Sequence, residues 1–496
     1  MNKPEFNARR RFLQQSGALS AAGAAGGSWL LNLAAIGDAA AASNGGNYKA
    51  LVCVFLYGGN DACNTVLPID DASWARYDEV RSIPSGVTGP LADLRLSRTA
   101  LRNISAKVSG QTVQYGLHPN LSNVQSLYNQ GKLAVVANLG TMTKGPVRRS
   151  DLGTTATESN GGVPPKLRSH NDQQTIWQSG RTNQETRGWG GRVEDPAAFA
   201  FATTDSADKA NAFRSVYLGD SPTFVFGDTV PAYGLTTSNN GVVPLLPGAG
   251  GKLYNGVNVS MLTNLLKGTA GGTRSNLLEK DLIQLTARSL DAESYLTAKL
   301  SALPLDTPAL PADNYLAAQL KIVARVIKTH SARPGRQVFF VSIGGFDTHD
   351  NQRSPGGHDD LLKQVDEALG YFSNALGSDI DKVTTFTASD FGRLLNSNGD
   401  GTDHAWGAHH FVMGGAVNGG QVYGRMPSYA RLGDSYYDTQ MSDDGAMIPV
   451  VSVGSYGATM ARWFGLTDAE AKGVFPYLYA EGAVSATNVG FMKGVA

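Results

Sequence analysis

KALVCVFLYGGND, residues 49–61, is the stretch that decides the fold. Lys49 to Tyr57 is apolar at consecutive rather than alternate positions, which predicts a strand buried on both faces. Gly58-Gly59-Asn60-Asp61 then predicts a turn that leaves a carboxylate just beyond the strand.

The same alternation of buried strand and helix recurs along the chain. A helix is expected over 120–130, a buried strand over 133–139, and a short helix over 171–179 capped by Ser169-His170-Asn171. Arg214 to Leu218 and Thr223 to Phe226 read as short strands. Two long helices are expected over 276–300 and 314–329. In the second, Leu316, Leu320, Val323 and Ile327 form one apolar stripe, read as core. A strand over 337–343, a helix over 359–376, a strand over 383–388, a further strand around Val412, and helices over 455–464 and 467–472 complete the pattern. Strands alternating with helices imply an α/β fold: a mostly parallel sheet flanked by helices on both faces. Two Gly-rich stretches, around 140–168 and 236–256, read as a loop insertion and a hairpin insertion.

The N-terminus carries Arg9-Arg10-Arg11-Phe12-Leu13, then a Gly-thinned apolar stretch to Ile36 and a small-residue cleavage site at Ala40-Ala41-Ala42. This predicts a twin-arginine signal over 1–42 and a single mature domain over 43–496, periplasmic or secreted. The stretch is mostly Ala, Gly and Ser, whereas a span needs about 20 strongly apolar residues, so no stable membrane insertion is expected. The partner implied is the twin-arginine translocase. Lys+Arg and Asp+Glu are 42 each, and removing the signal leaves a charge of about −2. A surface so nearly neutral excludes an electrostatic footprint for nucleic acid. Fifty-nine glycines, above the usual ~7%, imply many tight turns. Cys53 lies inside the first strand and Cys63 beyond its end. Ten extended residues cover roughly 30 Å, against the ~7 Å limit of a disulfide, so both are expected as buried thiols.

The chemistry-bearing residues follow the strands. Asp61 follows the first; Asp347, His349 and Asp350 follow the strand ending at Ile343; Asp390 follows the strand ending at Ala388. Asp403, His404, His409 and His410 come soon after. Ligands of open α/β sheets bind at the carboxyl ends of strands, and mixed His and carboxylate sets suit a divalent metal such as zinc or manganese. Asp347 and His349 are two apart, so on extended backbone they point the same way. His409 and His410 would point to opposite faces, so at most one of them is expected as a ligand. His118 reads as structural, His330 as facing a helix dipole or solvent, and His358 as solvated.

Five stretches carry a resemblance: FLYGGNDACNTVLP (55–68), RSHNDQQTIWQSG (168–180), GGFDTHDNQ (344–352), SDFGRLLNSNGDGTDHAWG (389–407) and GGAVNGGQVYG (414–424). In this order they resemble domain-of-unknown-function family 1501, over essentially all of 43–496. The resemblance implies an exported protein with an alkaline-phosphatase-like fold of the phosphatase and sulfatase superfamily. It implies metal ligands at Asp61, Asp347, His349 and Asp390, with His404 or His409 as the last. It departs from the pattern at Phe391, where the superfamily has His, and at Asp390, where the family more usually has Glu. His170 falls where a Ser or Thr normally attacks, with Ser169 beside it. Either Ser169 is shifted into place, or His170 serves as ligand or nucleophile, or the hydrolytic chemistry is gone. Arg393 or Arg148 would clamp an anion. The expected function is metal-dependent hydrolysis of phosphate or sulfate esters on a small-molecule or envelope-polymer substrate. The alternative is a non-catalytic cell-envelope binding or assembly protein keeping a partial metal site.

Overall fold

A strand that is apolar on both faces must be covered on both, and the computed structural model shows how. It describes residues 47–82, 93–143, 147, 149–152, 162–182, 185–201, 209–220, 222–237, 277–303, 308–433, 435–436, 438–479 and 488–495. The signal over 1–42 lies outside them, as do Arg148 and nearly all of the 236–256 hairpin.

The strands in chain order are β1 (Lys49–Leu56), β2 (Val66–Pro68), β3 (Arg102–Val108), β4 (Gln111–Leu117), β5 (Leu133–Gly140), β6 (Ser215–Leu218) and β7 (Ala232–Leu235). They continue as β8 (Arg336–Ile343), β9 (Val383–Ser389), β10 (Ala408–Met413), β11 (Val422–Gly424), β12 (Arg431–Leu432), β13 (Ser435–Tyr436) and β14 (Val451–Ser452). The helices are α1 (Asp71–Arg81), α2 (Ser122–Asn129), α3 (His170–Ser179), α4 (Trp189–Glu194), α5 (Leu277–Ser301), α6 (Tyr315–His330), α7 (His358–Leu376), α8 (Val453–Phe464) and α9 (Asp468–Val474).

Among the described residues nine strands make the main sheet, in the order β11-β5-β10-β9-β1-β8-β6-β7, with β14 also on β5. β1 pairs in parallel with both β8 and β9. Only β10 runs against its neighbours, so its first residues lie at the edge where the parallel strands end. The expected α/β fold with a mostly parallel sheet is therefore what the chain forms.

The side chains of β1 divide by parity, as a pleat requires. Ala50, Val52, Val54 and Leu56 face one layer, where they join Leu320 and Val323 of α6 and Leu369 and Phe372 of α7. Leu51, Cys53 and Phe55 face the other, with Trp177 of α3, Trp189 of α4 and Tyr456 of α8. Both cysteines are buried and free. The apolar stripe of α6 is core, as its spacing predicts. Among the described residues no helix is long and apolar enough to cross a membrane.

Three expectations fail. Thr223 to Phe226 is not a strand. It closes a tight 3₁₀ turn over Thr223–Val225, because Phe224 packs edge-on against Trp189 (4.8 Å between ring centres) instead of entering a ladder. His330 is fully buried against Phe201 and Tyr295, its Nδ1 held by the Val326 carbonyl at 2.9 Å. His358 is also fully buried, its Nε2 3.0 Å from Asn60 Oδ1, because α7 starts beneath the loop that leaves β1. The antiparallel sheet β2-β4-β3 and helix α1 were not expected at all. β2 is only three residues long, and β3 and the first half of β4 are largely exposed, so they give little periodic signal.

Candidate functional site

The loops leaving β1, β8 and β9, the entry to β10 and the first turn of α3 meet at one edge of the sheet. The approach is close enough to dictate sequence. Gly58 has φ +115°, and a Cβ there would stand 2.2 Å from the amide nitrogen of Asp347. Gly401 is similarly constrained, since its Cβ would lie 2.2 Å from the carbonyl oxygen of His349. Arg393, fully buried, ties these loops together. It donates to the carbonyls of Gly58, Gly59, Phe346 and Thr402, and also to Asp347 Oδ1. With its donors spent inside the protein, Arg393 is a brace and not the anion clamp expected of it.

Three imidazoles surround Asp347. His404 Nε2 lies 3.1 Å from Asp347 Oδ1 and His349 Nε2 3.3 Å from the same oxygen; His170 Nε2 lies 3.4 Å from Oδ2. His349 Nε2 and His404 Nε2 are 2.8 Å apart. The other nitrogen of each ring faces an acceptor. His170 Nδ1 meets Asp390 Oδ2 at 2.6 Å, His349 Nδ1 meets Asp403 Oδ1 at 3.0 Å, and His404 Nδ1 meets the Arg168 carbonyl at 2.9 Å. Carboxylates and carbonyls only accept, so each Nδ1 carries a proton; each Nε2 faces the Asp347 carboxylate and would offer it a lone pair only where a cation stands between them. Arg168 reaches its position through a left-handed backbone (φ +74°), a conformation costly for a residue with a side chain.

The electrostatics follow from these contacts. The Asp390 hydrogen bond raises the pKa of His170 above 6.5 against the effect of burial, whereas burial lowers that of His404. Burial pushes the Asp347 carboxyl up, but the hydrogen bonds from Arg393 and His404 outweigh it and hold the group below 3.8. Two neutral Nε2 lone pairs 2.8 Å apart repel unless a cation lies between them.

A divalent ion fits this donor set. Tetrahedral zinc with ligands at about 2.1 Å places its donor atoms about 3.4 Å apart, close to the separations around Asp347. His170 Nε2 is buried with no hydrogen-bond partner. Donor atoms of His170, Asp347 and His404 all lie within 4.8 Å of one another. His349 lies against Asp347 and His404 but is not part of that set. Asp390 stands one layer back, its Oδ2 also accepting from Gln174 Nε2 (2.8 Å) and the Gly58 amide (3.3 Å). A carboxylate behind a ligating histidine fixes its tautomer and raises its basicity. Phe391 packs its ring against His404 (4.5 Å) and His170 (4.8 Å).

Three expected ligands do not join: Asp390 stands behind His170, and Asp61 and His409 are engaged elsewhere. Asp61 is fully buried and commits both oxygens elsewhere: to Arg81 at 2.5 and 3.1 Å, to Gln352 Nε2 at 2.7 Å and to the Cys63 amide at 3.0 Å. Burial pushes its carboxyl up, and Arg81 pulls it below 3.8. Its histidine neighbour is His358, not His170. His409 turns away into the interior, where Nδ1 accepts from the Asn138 amide at 3.0 Å. His410 packs against Trp177 at 5.1 Å. Ser169 donates its hydroxyl to Asp172 Oδ2 at 2.7 Å. The reading of ligands missed Arg81 and Gln352. Gln352 lies inside the GGFDTHDNQ motif, whereas nothing in the spacing of Arg81 marks it as the partner of Asp61.

Among solved structures the chain is similar, at a distance, to several, a sulfatase and an alkaline phosphatase among them. It shares 10% identity and a TM-score of 0.33 with Ps i-CgsB in complex with k-i-k-neocarrahexaose, over 88% of this chain and 77% of that one. With the PsFucS1 sulfatase from Pseudoalteromonas sp. it shares 10% identity and a TM-score of 0.32, over 93% and 79%. With the alkaline phosphatase from the Antarctic bacterium TAB5 it shares 9% and 0.22, over 74% and 91%. At these scores the likenesses place no residue. A search among curated proteins found no match. One family model, described as a protein of unknown function, matches residues 48–468, and the chain belongs to that family, DUF1501.

Proposed function

We propose that this protein is an exported hydrolase of phosphate or sulfate esters that works with a divalent metal, zinc or manganese. The observation that carries the reading is the set of three histidines, each with Nδ1 tied to an acceptor and Nε2 turned toward Asp347. Bound there, the ion would polarise an ester oxygen and activate water. His170, Asp347, His349 and His404 would hold it. Asp390, Asp403 and the Arg168 carbonyl hold the imidazoles aligned through their Nδ1 atoms, and Arg393 keeps Asp347 ionised. The ester would come from a small molecule or an envelope polymer.

The test is metal analysis of the purified mature chain, followed by assays on aryl phosphate and aryl sulfate esters. Expected are near-stoichiometric zinc or manganese and hydrolysis of one ester class that chelation abolishes. A chain that binds metal yet hydrolyses neither would favour a second reading, a non-catalytic envelope binding or assembly protein. One observation leans that way: the hydroxyl of Ser169, the candidate nucleophile beside His170, is already committed to Asp172.

A further inference from the structure

Beside the cluster lies a buried side chain that touches none of its nitrogens. Gln352 is fully buried. Its Nε2 donates to Asp61 Oδ2 at 2.7 Å, while its Oε1 accepts from Thr402 Oγ1 at 2.7 Å and Thr348 Oγ1 at 3.2 Å. Its backbone is fixed as well, N–H to the Asp400 carbonyl and C=O to the His358 amide. An ionised carboxylate can only accept, so the amide has one orientation: nitrogen toward Asp61, oxygen toward the two hydroxyls.

The two threonines are the point of the arrangement. Thr348 stands between Asp347 and His349, and Thr402 immediately precedes Asp403 and His404. The Thr402 amide also donates to the Thr348 carbonyl at 3.0 Å. One amide oxygen therefore sets the spacing of the two loops that bring Asp347, His349 and His404 together. Its anchor is itself immobile. Asp61 is clamped by Arg81, whose guanidinium also donates to the carbonyls of Leu394 and Leu395.

We propose that Gln352 is a positioning residue for the metal, registering the 347–349 loop against the 402–404 loop, and that Asp61 acts through it as an anchor instead of as a ligand. This rests on reading the cluster as a metal site. Groups one layer behind a metal's ligands typically change affinity 10–100-fold when removed.

The experiment is a cobalt titration of the mature chain, followed by visible absorption and paired with thermal melts of the metal-free protein. Gln352→Met keeps length and volume while removing both polar ends. Gln337→Met serves as the control. Gln337 is equally buried and hydrogen-bonded, to Tyr48 and the Phe213 carbonyl, but sits at the opposite end of β8. Wild type and Gln337→Met should bind cobalt with the same Kd and spectrum. Gln352→Met should bind about 10–100-fold more weakly, with a shifted band. A gentler pair covers the case in which Gln352→Met does not fold: Thr402→Val should weaken binding and Thr402→Ser should restore it. Gln352→Met or Thr402→Val that melts lower but keeps the wild-type Kd and spectrum would overturn the proposal, since a merely structural role predicts that result. A wild-type chain that takes up no cobalt would remove the metal reading itself.

Discussion

His170 is the first residue of α3, and the identity of its neighbours separates ligand from nucleophile. Its Nδ1 is held by Asp390, while Ser169 turns its hydroxyl back onto Asp172 in the first turn of the same helix. Asp172 is held below 3.8 chiefly by that hydroxyl. His170→Ala removes a ligand and is therefore expected to weaken metal binding by more than the ~10–100-fold typical of groups behind the ligands, and to abolish ester hydrolysis. A half-exposed helix-start ring contributes little packing, so the fold should survive. Ser169→Ala is expected to leave activity within a few-fold. Parallel titrations and rate measurements on the two variants decide the matter. Full activity in His170→Ala with loss in Ser169→Ala would make the serine the nucleophile.

At the scale of the element, helices and strands carry histidines into places where charge is costly. His330 ends α6, His358 begins α7, and His409 and His410 lie side by side on β10. Burial lowers the pKa of His330 and His358 from 6.5 to about 4 and that of His409 and His410 to about 3. A histidine held neutral in the fold but free to protonate when unfolded stabilises the fold above pH 6.5. That contribution is lost as the pH falls toward its folded value, at about 1.4 kcal/mol per pH unit for each group. Glu194 works the other way. Burial raises it to about 7 despite Arg214, so it favours the fold as the pH drops from 7 toward 4.5. Four groups outweigh one, and the melting temperature of the metal-free chain should fall steadily from pH 6.5 to pH 5. A melting temperature that is flat or rising over that interval would show that these rings are protonated in the fold.

On the scale of the whole molecule, the site belongs to no single segment. Its donors come from α3, from the loop after β8 and from the entry to β10, and they meet only because β1, β8 and β9 lie side by side in parallel. A site of this kind exists only in the folded chain. That suits a route that moves folded proteins, and Arg9-Arg10 ahead of Phe12-Leu13 motivates the proposal of twin-arginine export. Replacing both arginines by lysine should leave full-length precursor in the cytoplasm, followed by fractionation and immunoblotting. Normal maturation of that variant would show that export takes another route.

The periodic elements were determined by the sequence alone, because burial on two faces or on one leaves a repeat in the chain. KALVCVFL, the α6 stripe and the alternation of strand and helix sufficed for an α/β sheet covered on both sides. The gathering of Asp347, His349, Asp390 and His404 at one sheet edge was also legible, since such residues follow strands and parallel strands end together. The role of each residue was not, because role depends on partners distant in sequence. Asp61 reads as a ligand until Arg81 and Gln352 occupy its oxygens. Arg393 reads as an anion clamp until four carbonyls and Asp347 take its donors. His409 reads as a ligand until the pleat and bulge of β10 turn it toward Asn138. A carboxylate has only a few lone pairs and a guanidinium five protons. Which neighbours claim them is settled by packing, and packing was decided only in the tertiary structure.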